Sequence, residues 1–220
     1  LTNLETIKRA RAALPNVIRT TPIIPLAQDA AEIGNENLFL KCENMQVTGA
    51  YKIRAAFTAL LALSDEARSK GVVMASSGNF AQAFAYAGRE MGVPVAVVML
   101  DSTSDYKVAQ TKGHGAEVIF CGDDATARQP TVVRVAEEQG MTAIDTWEFP
   151  PITAGHASIG MEILEQCSDV EQVLVPVSSG GAAAGIATAI KLQNPGVRMV
   201  GVQPEKANAA YVSMEKGELV

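Results

Sequence analysis

One lysine stands where a strand-like segment passes into a helix-like one, a position at which an amine can do chemistry. Lys52 lies in the stretch Thr48–Ala56, between the apolar segment Leu38–Cys42 and a run rich in alanine and leucine. A lysine amine can form an imine with an aldehyde cofactor, and a neutral amine can act as a base. A solvated surface lysine is the structural alternative, so the catalytic interpretation needs support from other segments.

Two later segments of small residues also follow apolar runs. Ser76–Ala83 comes after Val72–Ala75, and Pro176–Gly185 comes after Val173–Val175. Both are typical of turns between a strand and a helix. With Lys52, they make three ordered segments that each join a strand-like run to a helix-like one.

The elements that must position these residues alternate from Leu38 onward. The strand-like runs are Leu38–Cys42, Val72–Ala75, Pro94–Leu100, Ala116–Cys121, Met141–Asp145, Val173–Val177 and Met199–Gln203. The helix-like stretches are Leu4–Leu14, Ala50–Leu63, Ala81–Met91, Tyr106–His114, Thr131–Gln139, Ser158–Cys167 and Ala182–Leu192. This alternation predicts an α/β fold with parallel sheets that helices cover on both faces.

Composition favours a cytoplasmic protein that handles a small molecule. In 220 residues there is no apolar run long enough to span a bilayer, and the first residues lack the pattern of a secretory signal. The net charge is −6 and the basic residues are scattered, which argues against nucleic acid as a partner. Cys42, Cys121 and Cys167 are odd in number and show no metal-type spacing, as in a reducing compartment.

The order of the three segments resembles that of the fold-type II pyridoxal-phosphate enzymes, specifically the threonine/serine dehydratase and serine racemase group. That family has a Thr-Gly-Ser-Phe-Lys segment, a Ser-x-Gly-Asn-His loop and a glycine-rich phosphate loop. The resemblance implies a tryptophan synthase β-like fold of two lobes with parallel, helix-covered sheets. A large cofactor-binding lobe would comprise residues 1–70 and 149–220, and a small inserted lobe residues 71–148. It also implies a homo-oligomer, a dimer or larger.

The resemblance implies how pyridoxal 5′-phosphate would be held. Lys52 would carry it as an imine and remove the substrate α-proton, and Tyr51, where the family has Phe, would pack beside the ring. Asn79 would hydrogen-bond the 3′-oxygen of the cofactor, although a helix N-cap is its structural alternative. The phosphate would bind at a turn made of Ser178, Ser179, Gly180, Gly181 and Ala182, where the family has four glycines and a leucine.

The resemblance also implies a substrate side of the site. Its residues would be Ser76, Ser77, Gly78, Phe80 and Arg128. Ser77 matches the serine that in racemases is the acid/base on the opposite face of the cofactor. Phe80 replaces the loop histidine of the family, and Arg128 matches an arginine that helps to hold the substrate carboxylate. The structural alternatives are a turn serine and a solvated arginine.

Several positions depart from the family pattern or extend beyond it. We expect no metal, because Gln203 and Ala209 stand where acidic ligands would be needed. His114 and His156 lack any catalytic spacing, so we expect both to be structural. Relatives continue beyond the segment 201–205 and supply there the residue facing the pyridine nitrogen, so we expect this chain to lack that part.

These features predict a lyase that removes water and ammonia from a small β-hydroxy amino acid, such as threonine or serine, to give a 2-oxo acid. Phe80 and Trp147 leave open a racemase, or a β-eliminase for a bulkier or acidic 3-hydroxy amino acid. The altered phosphate turn leaves open a regulatory module that keeps the fold without catalysis.

Overall fold

Helices and short strands alternate through most of the chain, as the apolar pattern predicts. The computed structural model describes residues 3–26, Glu32, Gly34 and 37–220. The first helix, α1 (Leu4–Ala12), is capped by Asn3, whose side-chain oxygen accepts a hydrogen bond from the first turn at 2.8 Å. Such capping satisfies an N–H group that has no partner within the helix.

Two short strands, β1 (Ile23–Pro25) and β2 (Phe39–Lys41), form an antiparallel pair. The strand predicted at Leu38–Cys42 is therefore confirmed, but the expectation of parallel pairing is wrong for it. The partner, β1, has three residues and ends in proline, so it shows no periodicity from which a strand could be predicted.

The next elements run from Lys52 to Ala143. In chain order they are α2 (Lys52–Leu61), α3 (Asp65–Lys70), β3 (Val72–Ala75), α4 (Asn79–Met91), β4 (Val95–Met99), α5 (Asp105–Gly113), β5 (Glu117–Phe120), α6 (Arg128–Gln139) and β6 (Thr142–Ala143). The four strands form one parallel sheet in the order β5-β4-β3-β6. All of them lie inside the segment 71–148, whose boundaries as a lobe stay a prediction.

The central strands of this sheet are buried on both faces. Val72 and Met74 of β3 belong to an apolar cluster with residues of α2 and α4, whereas Val73 packs with Val132 and Val135 of α6. Alternate residues of a strand point to opposite faces, so one strand serves both helical layers. The predicted covering of the sheet by helices on both faces is confirmed.

The last elements are α7 (Pro150–Gln166), β7 (Gln172–Pro176), α8 (Gly181–Gln193), β8 (Arg198–Val202) and α9 (Ala209–Lys216). β7 and β8 pair in parallel. Helix α7 begins eight residues before the predicted start at Ser158. Its first residues are Pro150 and Pro151, which are tolerated because N–H groups in a first turn have no helical acceptor.

Helix α7 packs closely against both α2 and α8 because glycines lie at its contacts. A side-chain carbon built on Gly155 would lie 2.6 Å from the backbone of Ala55, and one on Gly185 would lie 2.7 Å from the carbonyl oxygen of Thr153. These backbones therefore approach each other at distances that leave no room for a methyl group. This contact sets the position of the start of α2 relative to the start of α8.

A buried group of charges adds to the contact between α2 and α7. The Arg54 guanidinium pairs with Glu43 at 2.8 Å and with Glu162 of α7 at 2.6 Å. Lys41 also pairs with Glu162 at 2.6 Å. Loss of one partner in such a buried group leaves an uncompensated charge, which costs about 3–5 kcal/mol.

Candidate active site

Lys52 is the first residue of α2 and follows a turn in which Gly49 has a φ of 70°. Its Nζ atom lies 4.9 Å from the ring centroid of Tyr51 and 4.7 Å from that of Phe80. Aromatic faces attract cations at these distances. The amine is thus held between an aromatic ring of its own turn and one from the serine loop.

The serine loop, residues 76–80, directly follows the carboxyl end of β3. Gly78 occupies the N-cap position of α4, and Asn79 is the first helical residue and is exposed. The alternative role of Asn79 as an N-cap is therefore wrong. Ser76, Ser77 and Gly78 are half-buried and Phe80 is buried. Ser77 Oγ accepts a hydrogen bond from Thr103 Oγ1 at 3.1 Å, a contact that no sequence motif indicates.

The phosphate turn, residues 178–182, follows the carboxyl end of β7 and leads into α8. Gly180 is the N-cap residue of α8 with a φ of 86°, a conformation that favours glycine. Ser178 and Ser179 are exposed, and no non-glycine residue in the described part of the chain has a positive φ. The serines at the first two positions of the turn therefore cause no strain. The first N–H groups of α8 have no helical acceptor and can bind an anion.

His156 of α7 connects these segments. Its side chain is buried, with 1% exposed, and its ring centroid lies 5.2 Å from that of Tyr51 and 6.2 Å from that of Phe80. A side-chain carbon on Gly181 would lie 3.9 Å from His156 Cδ2. His156 thus packs beside the aromatic rings next to Lys52, and the edge of its ring faces Gly181 of the phosphate turn. The sequence predicted only a structural role for His156, because it lacks catalytic spacing.

The imidazole of His156 is neutral. Burial, together with the positive charges of Lys52 and Arg54, lowers the pKa of His156 to about 3. Its Nδ1 atom has no hydrogen-bond partner among the described residues. Buried polar atoms in proteins are nearly always hydrogen-bonded, so this orphaned nitrogen marks a polar environment that the protein alone does not complete.

Arg128 is the first residue of α6 and lines a cavity of about 280 Å³ together with Ala75, Asp145 and Trp147. Its Nε atom is buried and has no partner among the described residues. Ala75 precedes Ser76, so the cavity reaches the beginning of the serine loop. Within the described part of the chain, Arg128 is connected to the other predicted site residues only by this cavity, which it lines together with Ala75.

Gln203 is one of the two residues at positions where a bound cation would need acidic ligands. Its side chain makes hydrogen bonds within the protein. Gln203 donates from Nε2 to the carbonyl oxygen of Val177 at 3.2 Å, and its Oε1 accepts from the N–H of Tyr211 at 3.1 Å. Within residues 3–26 and 37–220 no group of three histidine, cysteine or acidic side chains could hold a metal ion. In the same ranges no helix is long and apolar enough to cross a membrane.

Known proteins match this chain over nearly its whole length. The sequence profile described as "Pyridoxal-phosphate dependent enzyme" matches residues 14–220. L-threonine dehydratase catabolic TdcB of Staphylococcus aureus (strain USA300) is 37% identical over 219 residues, which are 100% of this chain and 63% of that protein. The chain therefore spans less than two thirds of this curated relative.

Solved structures agree with the described fold. Maize serine racemase is 33% identical with a TM-score of 0.96, and the match covers 100% of this chain and 66% of that one. The processed form of threonine deaminase isoform 2 from Solanum lycopersicum is 30% identical with a TM-score of 0.90, and the match covers 99% and 64% of the two chains. A deaminase and a racemase are thus similar to the chain to nearly the same degree.

Proposed function

Because this chain belongs to the family of pyridoxal-phosphate dependent enzymes, we propose that it eliminates water and ammonia from a small β-hydroxy amino acid, such as threonine or serine, giving a 2-oxo acid. Family membership confirms the predicted fold type and the predicted cofactor, pyridoxal 5′-phosphate. One observation carries the proposal: Phe80 lies between Lys52 Nζ and the ring of His156, and the edge of that ring faces Gly181 at the start of α8. The 37% identity to an L-threonine dehydratase supports this choice of reaction.

The residues present fit the cofactor. Lys52 offers an amine for the aldehyde carbon, and the left-handed Gly180 leaves the first N–H groups of α8 free for the phosphate dianion. Tyr51 and Phe80 offer apolar faces against which an aromatic ring can pack. The unpartnered nitrogen of His156 lies in the same group. Asn79, the first residue of α4, would hydrogen-bond the 3′-oxygen.

Lys52 has two tasks in the proposed reaction. Its Nζ holds the cofactor in the resting protein, and as a free neutral amine it takes the α-proton of the substrate. When bound, pyridoxal phosphate supplies an electron sink for the negative charge left at Cα. The rings of Tyr51 and Phe80 shield this half-buried amine from part of the solvent, and the proton removed would be held at Nζ.

The remaining residues would bind and orient the substrate. Ser76, Ser77 and the N–H groups at the start of α4 would bind the carboxylate, with Arg128 at the edge of the adjoining cavity. The Cβ–O bond then breaks, and the hydroxyl leaves as water with one proton, which balances the α-proton taken by Lys52. The resulting enamine takes up water and releases ammonia, which leaves the 2-oxo acid.

Substitution of Lys52 tests the proposal. In the full-length protein, Lys52→Ala should lower 2-oxo acid release from threonine or serine by at least about 10²-fold, because the base is lost. Borohydride reduction followed by peptide mapping should locate the cofactor on Lys52 of the unsubstituted protein. Lys70→Ala is the matched control, because Lys70 pairs with Glu66 on the surface of α3. Undiminished turnover by Lys52→Ala would exclude this mechanism.

A racemase is the second candidate, favoured by the similarity to maize serine racemase and by the Thr103–Ser77 hydrogen bond. In that case Ser77 would exchange a proton with the opposite face of Cα. Ser77→Ala should then abolish formation of D-serine from L-serine while 2-oxo acid release continues. If the unsubstituted protein forms no D-serine, only elimination remains.

The cellular setting follows from the same proposal. The three cysteines are free, as in a reducing, cytoplasmic environment. A dimer or larger homo-oligomer stays a prediction, to be measured by analytical ultracentrifugation of the full-length protein.

A further inference from the structure

His156 lies against the first turn of α8, and its ring runs along that turn toward the N-terminus of the helix. A side-chain carbon on Gly185 would lie 2.8 Å from His156 Cβ, whereas one on Gly181 would lie 3.9 Å from His156 Cδ2. Gly181 and Gly185 are one helical turn apart. The base of the histidine side chain therefore sits at Gly185 and the edge of its ring at Gly181.

The orphaned nitrogen indicates which tautomer is present. Nδ1 is buried without a partner among the described residues, and a buried N–H left unpaired is rarer in proteins than an unpaired acceptor. The proton of the neutral ring therefore belongs on Nε2. In imidazole, Nε2 is bonded to Cδ2, so the N–H lies on the same edge of the ring as the atom that faces Gly181.

Burial, together with positive charges near the ring, explains why it stays neutral. Lys52 of α2 lies beside Tyr51 and Phe80, and both Lys52 and Arg54 act on His156 as positive charges. The two acidic partners in this region, Glu43 and Glu162, are already paired with Arg54. Among the described residues, His156 therefore offers one N–H group without a protein anion to receive it.

We propose that His156 is a phosphate-binding residue, whose Nε2–H donates a hydrogen bond to an oxygen of the cofactor phosphate at the turn 178–182. The inference rests on the cofactor site proposed above. It adds a side-chain donor to the backbone N–H groups of α8, in a turn where the first two residues are serines instead of glycines. Donation to a charged phosphate is stronger than donation to a neutral acceptor.

Two vitamers that differ only in phosphate test the inference. Pyridoxine 5′-phosphate and pyridoxine lack an aldehyde, so neither can form a bond with Lys52. In the full-length protein, His156→Phe should weaken binding of pyridoxine 5′-phosphate by about 10- to 100-fold, as for the loss of a hydrogen bond to a charged group. Binding of pyridoxine should be unchanged, because phenylalanine keeps the ring contact with Tyr51.

Two further variants separate binding from packing. His156→Gln keeps an N–H donor and should bind pyridoxine 5′-phosphate within about threefold of the unsubstituted protein. His114→Phe is the matched control: His114 packs on Tyr86 at 5.5 Å and should affect neither ligand. If His156→Phe weakens both ligands equally, or neither, the inference is wrong and His156 only packs in the site.

A measurement on the unsubstituted protein avoids any effect of substitution on folding. With ¹⁵N-labelled histidine, pyridoxine 5′-phosphate and inorganic phosphate should shift the Nε2–H resonance of His156, whereas pyridoxine should leave it in place. If the chemical shift of this resonance does not change when either phosphate compound is added, the inference is wrong. Lyase activity plays no part in these measurements, so a protein that binds phosphate through His156 but eliminates nothing would refute only the proposed function.

Discussion

The setting of the Lys52 amine is decided by its immediate neighbours. The ring centroids of Tyr51 and Phe80 lie 4.9 and 4.7 Å from Nζ. Each ring stabilises a positive charge there by about 0.5–2 kcal/mol. The third ring nearby, that of His156, is neutral and adds no repulsion. The immediate surroundings of Nζ are therefore aromatic.

His156 should make the stability of the protein depend on acid. Its pKa is about 3 in the folded state and 6.5 unfolded, so between these values the unfolded chain binds a proton that the folded chain does not. Stability from this residue is present above the unfolded pKa and is lost as the pH falls toward the folded one. The loss approaches about 1.4 kcal/mol per pH unit.

Urea unfolding of the unsubstituted protein and of His156→Gln between about pH 6 and pH 4 would measure this effect. The free energy of unfolding should fall more steeply with falling pH in the unsubstituted protein. Carboxylates titrate in both proteins, so their contribution cancels in the difference between the two slopes. Parallel slopes would show that His156 is protonated in the folded state.

Local motifs made most of the candidate site predictable, because Lys52, the serine loop and the phosphate turn each occupy consecutive residues. His156 was not predicted, because its relation to Lys52 arises only when α7 packs between α2 and α8. Thr103 was missed for the same reason, since it meets Ser77 from a different part of the chain. The roles of these residues stay predictions until they are tested.

Among the elements, α7 packs against both α2, which begins at Lys52, and α8, which begins in the phosphate turn. Gly155 of α7 faces α2, Gly160 of α7 faces α8, and Gly185 of α8 faces α7. A side-chain carbon built on any of these glycines would lie 2.6 to 2.8 Å from atoms of the facing helix. Arg54 and Glu162 join α2 to α7 at the same interface. The starts of α2 and α8 are therefore held by backbone packing.

Gly155→Ala should force α2 and α7 apart. Overpacking costs about 1–3 kcal/mol, which exceeds the gain of up to about 1 kcal/mol from the better helix former. We expect a lower midpoint of urea unfolding and weaker cofactor binding. Gly113→Ala is the matched control: this helical glycine faces open space, so alanine there should leave stability equal or slightly higher. A Gly155→Ala protein as stable as the control would show that the helices can separate.

The predicted helices and strands agree with the structure where the pattern of apolar residues extends over enough positions to show its spacing. The strand Val72–Ala75 has the predicted bounds, and the helix predicted at Thr131–Gln139 begins only three residues earlier. Missed elements are short or lack an apolar stripe, as in α3 with the sequence Asp-Glu-Ala-Arg-Ser-Lys. The strand predicted at Met141–Asp145 is reduced to Thr142 and Ala143, although the N–H of Ile144 still donates to the carbonyl oxygen of Val73 at 2.9 Å.

At the scale of the whole molecule, apolar side chains are exposed on two small sheets. They are Ile24, Phe39 and Leu40 on β1 and β2, and Leu174 and Val202 on β7 and β8. By contrast, the strands β3 and β4 of the four-stranded sheet are almost wholly buried. Exposed apolar surface of this kind marks contact with another surface or a tendency to aggregate.

A protein made of residues 1–220 should therefore bind a hydrophobic dye in its folded state. Phe39→Glu with Leu174→Glu should remove most of the dye fluorescence and raise solubility, because charges then occupy both sheets. Glu substitution of Tyr106, which is exposed on α5 away from these sheets, is the control. Unchanged fluorescence in the double variant would mean that these faces are covered in solution.

The close packing of α7 also bears on how such a protein can diversify. The glycines at its contacts tolerate almost no replacement, whereas Arg128 and Trp147 line an open cavity. Mutations can therefore accumulate around the cavity without disturbing the spacing between amine and phosphate turn. Natural variation or engineering can therefore change the substrate that binds while cofactor binding stays the same.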